Sequence, residues 1–151
     1  MKMVLALSLV SIMTISGQDF MTDINNYDIL IQNGTIIDGS GSPGFRADIL
    51  VMGEQIVLIG DVDPDAITVK TIIDATDMVV TPGFIDNHAH GNPLKTPEFK
   101  NFSAMGVTTI FLGQDGVSSE NISEWMKDVD ASELGINIGT YVGHGSIRNQ
   151  A

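Results

Sequence analysis

The sequence predicts an α/β chain in two parts: the N-terminal part of a small β-sandwich over residues 18–80, then the first three strands of a (β/α)8 barrel over residues 81–151. Three observations carry this. Between Tyr27 and Val80, short apolar strands are separated by turn residues, the way a small β-sandwich is written. After Pro82 the period changes, and buried strands alternate with helical stretches, the mark of a parallel sheet covered by helices. Finally, 151 residues hold only three such strands, whereas a closed barrel takes about 250 residues. The sequence therefore reads as the opening of a longer fold, truncated after its third barrel strand.

The N-terminus comes first. Lys2 is followed by the uncharged run Met3 to Ile15 and by Ser16-Gly17-Gln18, which has the order of a secretory signal: a cation, a short apolar stretch, then small residues. Residues 1–17 are expected to be a signal peptide and the mature chain to begin between Gly17 and Asp19. The apolar run is too short to span a bilayer comfortably, so the expectation is an exported protein, periplasmic or extracellular, with no stable membrane insertion after cleavage. An uncleaved anchor or a buried apolar strand is the alternative reading of the same residues.

In the sandwich part, Tyr27-Asp28-Ile29-Leu30-Ile31-Gln32 alternates polar and apolar residues, and Asn33-Gly34 carries a type I′ hairpin signal before Thr35-Ile36-Ile37-Asp38. A hairpin is predicted there. Gly39 to Gly44 forms a loop without the Lys-Ser/Thr ending of a phosphate-binding loop, and Asp38 at its start is placed to bond turn N–H groups. A second tight turn at Gly53-Glu54 joins strands 47–52 and 55–60, and two further short strands follow at 71–74 and 78–80. In the second part a helix is expected over 97–105, closed by Gly106, then a strand over 107–112. A helix over 119–129 follows, with cap chemistry from Ser118, Ser119 and Glu120, then a strand over 136–142. Ile122, Trp125 and Met126 read as core packing on that helix, and Asp128, Asp130 and Glu133 as its solvated face.

Composition narrows the function. The net charge of −12 leaves no basic surface to displace counterions, so no nucleic acid partner is expected. There is no cysteine, so any metal site must use histidine and oxygen ligands.

The chemistry-bearing residues fall at strand ends, where barrel strands deliver function. His88-Ala89-His90 ends the first strand, Gln114-Asp115 the second, and His144 the third. Side chains two apart on a strand face the same way, so His88 and His90 can share one ion, and imidazoles with a carboxylate suit zinc. Asp86 has two readings, a carboxylate that orients an imidazole N–H or a turn former. Asp115 is either an Asx-turn residue between glycines or a third ligand. His144 has glycine neighbours that allow close approach to a substrate, and it equally fits a structural histidine. Arg148 either binds a substrate carboxylate bidentately or is a surface residue.

These residues resemble the amidohydrolase superfamily, whose members join a small β-sandwich to a metal-dependent (β/α)8 barrel. Ile73 through His90 looks like the run by which that family enters its barrel. Asn33 to Asp48, Gly106-Val107-Thr108-Thr109 through Ser118, and Val142-Gly143-His144-Gly145-Ser146-Ile147-Arg148 narrow the resemblance to the N-acyl-D-amino-acid deacylase, or D-aminoacylase, branch. One departure stands out: several D-aminoacylases carry Gly-Asn-Cys-Gly where this chain has Gly113-Gln114-Asp115-Gly116. Asp115 then either replaces a thiolate ligand with a carboxylate, or marks that ligand as lost.

The resemblance implies zinc, as one or two divalent ions, held by His88, His90 and Asp115, and a small-molecule N-acyl amino acid substrate near His144 and Arg148. It implies amide hydrolysis whose proton-carrying Asp lies beyond Ala151, so residues 1–151 alone are expected to be inactive. The alternatives are a dihydroorotase-like or isoaspartyl-dipeptidase-like hydrolase of the same superfamily, or a degenerate, non-catalytic secreted binding protein.

Overall fold

The computed structural model describes residues 4–7 and 26–150. It divides into two compact units, Met1–Pro82 and Gly83–Ala151, forming a mixed α/β chain with three small sheets.

The first unit holds two four-stranded sheets. Strand β1 (Val4–Leu7) pairs in parallel with Val79–Pro82; it lies inside the stretch expected to be a signal peptide, and the remainder of that stretch is outside the described residues. Strand β2 (Asn26–Gln32) ends just before Asn33-Gly34, and β3 (Thr35–Ile36) begins just after it. The hairpin expected at Asn33-Gly34 does not form. β2 pairs antiparallel with β5 (Asp48–Met52), which pairs with β6 (Gln55–Gly60), while β3 pairs with β4 (Phe45–Arg46) in the other sheet.

The reason is a competition that the local signal loses. A type I′ turn needs two residues with positive φ, and only Asn33 has one, at 66°. Its backbone N–H donates to Asp48 Oδ1 at 3.2 Å and its Nδ2 to Asp74 Oδ1 at 3.1 Å. Gly34 then passes so close to Val80 that an added Cβ would lie 2.6 Å from Val80 Cγ2. The chain thus crosses between sheets instead of folding back.

After a 3₁₀ turn at Pro64–Ala66, β7 (Thr68–Asp74) pairs in parallel with β2, and β8 (Val79–Pro82) pairs in parallel with β3. The Gly53-Glu54 turn between β5 and β6 is as expected. So is Asp38, whose Oδ1 accepts from Ser40 N at 2.9 Å; hydrogen bonds from Ser40 hold its carboxyl below the ordinary value. The core draws on both sheets, with Ile31, Ile49 and Val51 from one and Ile36 and Val80 from the other, joined by Ala75.

The second unit is a three-stranded parallel sheet in the order β11-β10-β9. β9 (Phe84–Asp86) leads to helix α1 (Lys100–Ala104), shorter than the expected 97–105, and then to β10 (Val107–Leu112), on the predicted residues. Helix α2 (Ile122–Asp130) starts three residues later than expected and is capped by Asn121, whose side chain accepts from Glu124 N at 3.2 Å. Ser118 and Ser119 do not cap it, because their hydroxyls are bonded elsewhere: Ser118 Oγ accepts from Gly143 N at 2.9 Å, and Ser119 Oγ donates to Asn121 O at 3.2 Å. Strand β11 (Asn137–Thr140) and helix α3 (His144–Gln150) complete the unit. Its core is Ala89, Phe99, Ile110, Leu112 and Ile136, against which Trp125 packs. Among the described residues no helix is long and apolar enough to cross a membrane.

Candidate metal centre

Strand β9 ends at Asp86, so His88 and His90 sit just past the strand rather than on it. The ladder nevertheless continues to Ala89, whose N–H donates to Phe111 O at 3.0 Å. Ala89 is 5% exposed and points into the core, so the alternation of a strand is kept and both flanking imidazoles face outward. Their ring centroids are 5.6 Å apart. Asp86 Oδ1 accepts from His88 N at 3.1 Å; of its two readings, the structure takes the turn former.

Asp115 arrives from the end of β10. The segment Gly113-Gln114-Asp115-Gly116 forms a turn closed by Gly116 N donating to Gly113 O at 3.3 Å. The Asp115 carboxylate faces both histidines: Oδ1 is 3.1 Å from His88 Nε2, and Oδ2 is 3.1 Å from His90 Nε2. One ligand atom from each of the three lies within 4.8 Å of the others. Asp115 is therefore both a turn residue and a partner of the imidazoles.

This donor set fits a metal ion. Two atoms bound to one tetrahedral zinc at about 2.0–2.1 Å stand about 3.3 Å apart, close to the 3.1 Å seen for each nitrogen–oxygen pair. Two imidazole nitrogens and a carboxylate are ligands that zinc accepts, and a three-residue set leaves further positions open. All three side chains are more than half exposed, so those positions face solvent. Beside His90 opens a cleft of about 370 Å³, walled by Leu94, Leu112, Val117 and Trp125, with Ser118 and Thr140 supplying hydroxyls.

His144 is the first residue of α3 and is exposed, outside the group formed by His88, His90 and Asp115. Arg148 lies on the same helix, also exposed. Among the described residues neither forms an ion pair or side-chain hydrogen bond. What does hold this region is a hydroxyl clasp between the loop that follows β10 and the first turn of α3. Ser146 Oγ accepts from Ser118 N and donates to Ser118 O, each at 3.0 Å, and Ser146 N donates to Gly116 O at 3.2 Å. Sequence reasoning missed this clasp and also the role of Gln114, whose side-chain amide donates to Asn87 O and, at 2.9 Å, to Phe111 O. Two serines each lying near a glycine-rich strand end were the available signal.

No family model matches the chain. It is 31% identical over 152 residues to a D-aminoacylase of Alcaligenes xylosoxydans xylosoxydans, an alignment covering 84% of this chain and 31% of that protein. Among solved structures, a crystal structure of D-aminoacylase, described as defining a novel subset of amidohydrolases, superposes with a TM-score of 0.73 at 30% identity, covering 81% of this chain and 31% of that one. N-acyl-D-glutamate deacylase from Bordetella bronchiseptica, solved with zinc and a phosphonate mimic of the tetrahedral intermediate, superposes with a TM-score of 0.72 at 28% identity, covering 82% and 31%. The chain thus spans about a third of the length of the relatives it matches.

Proposed function

Because the chain belongs to the amidohydrolase superfamily, in its D-aminoacylase branch, we propose that the protein is a metal-dependent hydrolase that cleaves the linear amide of N-acyl-D-amino acids. The observation that carries the reading is the Asp115 carboxylate turned to both imidazoles of His88-Ala89-His90 at 3.1 Å. In this reading the two sheets of the first unit are the family's small β-sandwich, and β9, β10 and β11 open its (β/α)8 barrel. The activity is proposed for an enzyme of the relatives' full length, and residues 1–151 alone are proposed to be inactive.

His88 and His90 would hold the ion through Nε2, and Asp115 would give it an oxygen. One or two divalent ions, zinc first among them, supply Lewis acidity toward the amide carbonyl and toward water. Each side chain has its own task. Ala89, buried between the histidines, keeps them on one side of the chain. By the resemblance, Asp115 stands where several D-aminoacylases carry cysteine, and as a ligand its carboxylate would make the site harder and more oxygen-rich. The apolar walls of the cleft beside His90 suit a hydrocarbon group of the substrate, held within reach of the ligands.

The deciding assay incubates the protein, in its complete reading frame, with N-acetyl-D-amino acids, their L-enantiomers and cyclic amides, before and after chelation. Turnover of the D-series, lost on chelation and restored by zinc, supports the reading. Turnover of cyclic amides in its place contradicts the linear-amide assignment, and no turnover of any substrate by the zinc-loaded protein contradicts the enzyme assignment. We also propose export, supported by Lys2, the apolar run to Ile15 and the small residues Ser16 and Gly17; cleavage there would remove the edge strand β1 and leave β8 paired with β3.

A further inference from the structure

Gln114 joins the turn that carries Asp115 to the loop that carries both histidines. Its Nε2 has two hydrogens and two acceptors, Asn87 O and, at 2.9 Å, Phe111 O. Phe111 O also accepts from Ala89 N at 3.0 Å. One carbonyl of β10 therefore fixes the residue between the histidines, and the Gln114 amide fixes the peptide that immediately precedes His88.

The orientation of that amide follows from its acceptors. Turned by half a rotation, its oxygen would confront two carbonyl oxygens, which donate nothing. As it stands, Oε1 is buried with no hydrogen-bond partner among the described residues. Native folds seldom leave a buried acceptor unmatched. Here the unmatched oxygen is the consequence of committing both hydrogens to the histidine loop.

We infer that Gln114 is the positioning residue of the metal centre, holding the Asn87–His88 peptide so that His88 and His90 meet Asp115. It contributes no ligand atom. It acts through the backbone of one ligand loop while lying next to Asp115 in the other, which couples the two halves of the donor set. The inference rests on the reading of His88, His90 and Asp115 as ligands, and its test separates the two.

Cobalt(II) alone is titrated into the 151-residue chain, and its visible absorption is followed. Gln114→Met keeps the length and bulk of the side chain and removes both donors. The expected result is a Kd about 10–100-fold weaker, the range for removing a partner that orients metal ligands, with shifted cobalt bands that report altered ligand geometry. A Gln114→Met protein with unchanged Kd and unchanged bands overturns the inference. Cobalt binding that survives His88→Ala intact overturns the ligand reading beneath it. In the unsubstituted chain, both side-chain amide hydrogens of Gln114 should exchange slowly with solvent; exchange at the rate of free glutamine overturns the inference whether or not the variant folds.

Discussion

Replacing Gly143 by alanine strikes the clasp that joins the loop after β10 to the first turn of α3. A Cβ at this position would lie 2.6 Å from both Gly116 O and Ser118 N, and 2.7 Å from Gly116 C. All three are backbone atoms, so no side chain can rotate away and the loops themselves must separate. Separation strains two hydrogen bonds, Gly143 N to Ser118 Oγ at 2.9 Å and Ser146 N to Gly116 O at 3.2 Å. Overpacking costs about 1–3 kcal/mol and a lost hydrogen bond about 1 kcal/mol net, so with one of the two bonds lost a loss of about 2–4 kcal/mol is expected. With a urea slope near 1 kcal/mol/M for so small a unit, the midpoint should fall by about 2 M or more. The chain has one tryptophan, Trp125, packed against the core of the second unit, so its fluorescence reports the unit in question. Ser123→Ala, on an exposed position of α2, should stay within about 0.5 kcal/mol. A Gly143→Ala midpoint as close to the parent as that of Ser123→Ala would refute the clasp.

Removing the helix cap with Asn121→Ala should cost about 1 kcal/mol, seen as a melting point about 4–8 °C lower by Trp125 fluorescence; an unchanged melting point would place the start of α2 elsewhere. In the first unit, hydrogen bonds from Thr76 and then Asn33 hold the Asp74 carboxyl below its ordinary value near 3.8. A depressed carboxylate stabilises the fold above its unfolded value and loses that contribution as pH falls through the folded one. Circular dichroism melts should therefore show the parent losing stability as pH drops below about 4, and Asp74→Asn should flatten that dependence; parallel pH profiles would contradict it. Secreted from an export-competent host, the protein should begin between Gly17 and Asp19, and N-terminal sequencing that returns Met1 would contradict export.

Patterns that bury a face were legible in the sequence. Val107–Leu112 is β-branched or apolar throughout and forms β10 on those residues, since Ile110 and Leu112 have no alternative to the core. The His-Ala-His spacing likewise put two imidazoles on one side of the chain, and in the structure they flank a buried alanine. Local polar signals were less faithful, because distant groups compete for the same atoms. Asn33-Gly34 promised a hairpin, but Asp48 and Asp74, 15 and 41 residues away, claim Asn33. Ser118 and Ser119 promised a helix cap, but Ser118 is taken by Gly143, 25 residues on. Asp115 kept two readings in sequence; in space it lies in the turn after β10 with its carboxylate 3.1 Å from both imidazoles. The task of Gln114 left no trace, because one of its acceptors is a backbone carbonyl 27 residues away, and any residue supplies a carbonyl.

Zinc bound per chain, measured after equilibrium dialysis against buffered free zinc, tests the central claim most directly. The unsubstituted protein should bind at least one equivalent, and His88→Ala, His90→Ala and Asp115→Ala should each lower the affinity at least 10-fold, since each removes a ligand from the same ion. Zinc content that is the same in all four proteins would contradict a metal centre at this site. Loss with either histidine variant but not with Asp115→Ala would leave two ligands in place and remove the carboxylate from the account.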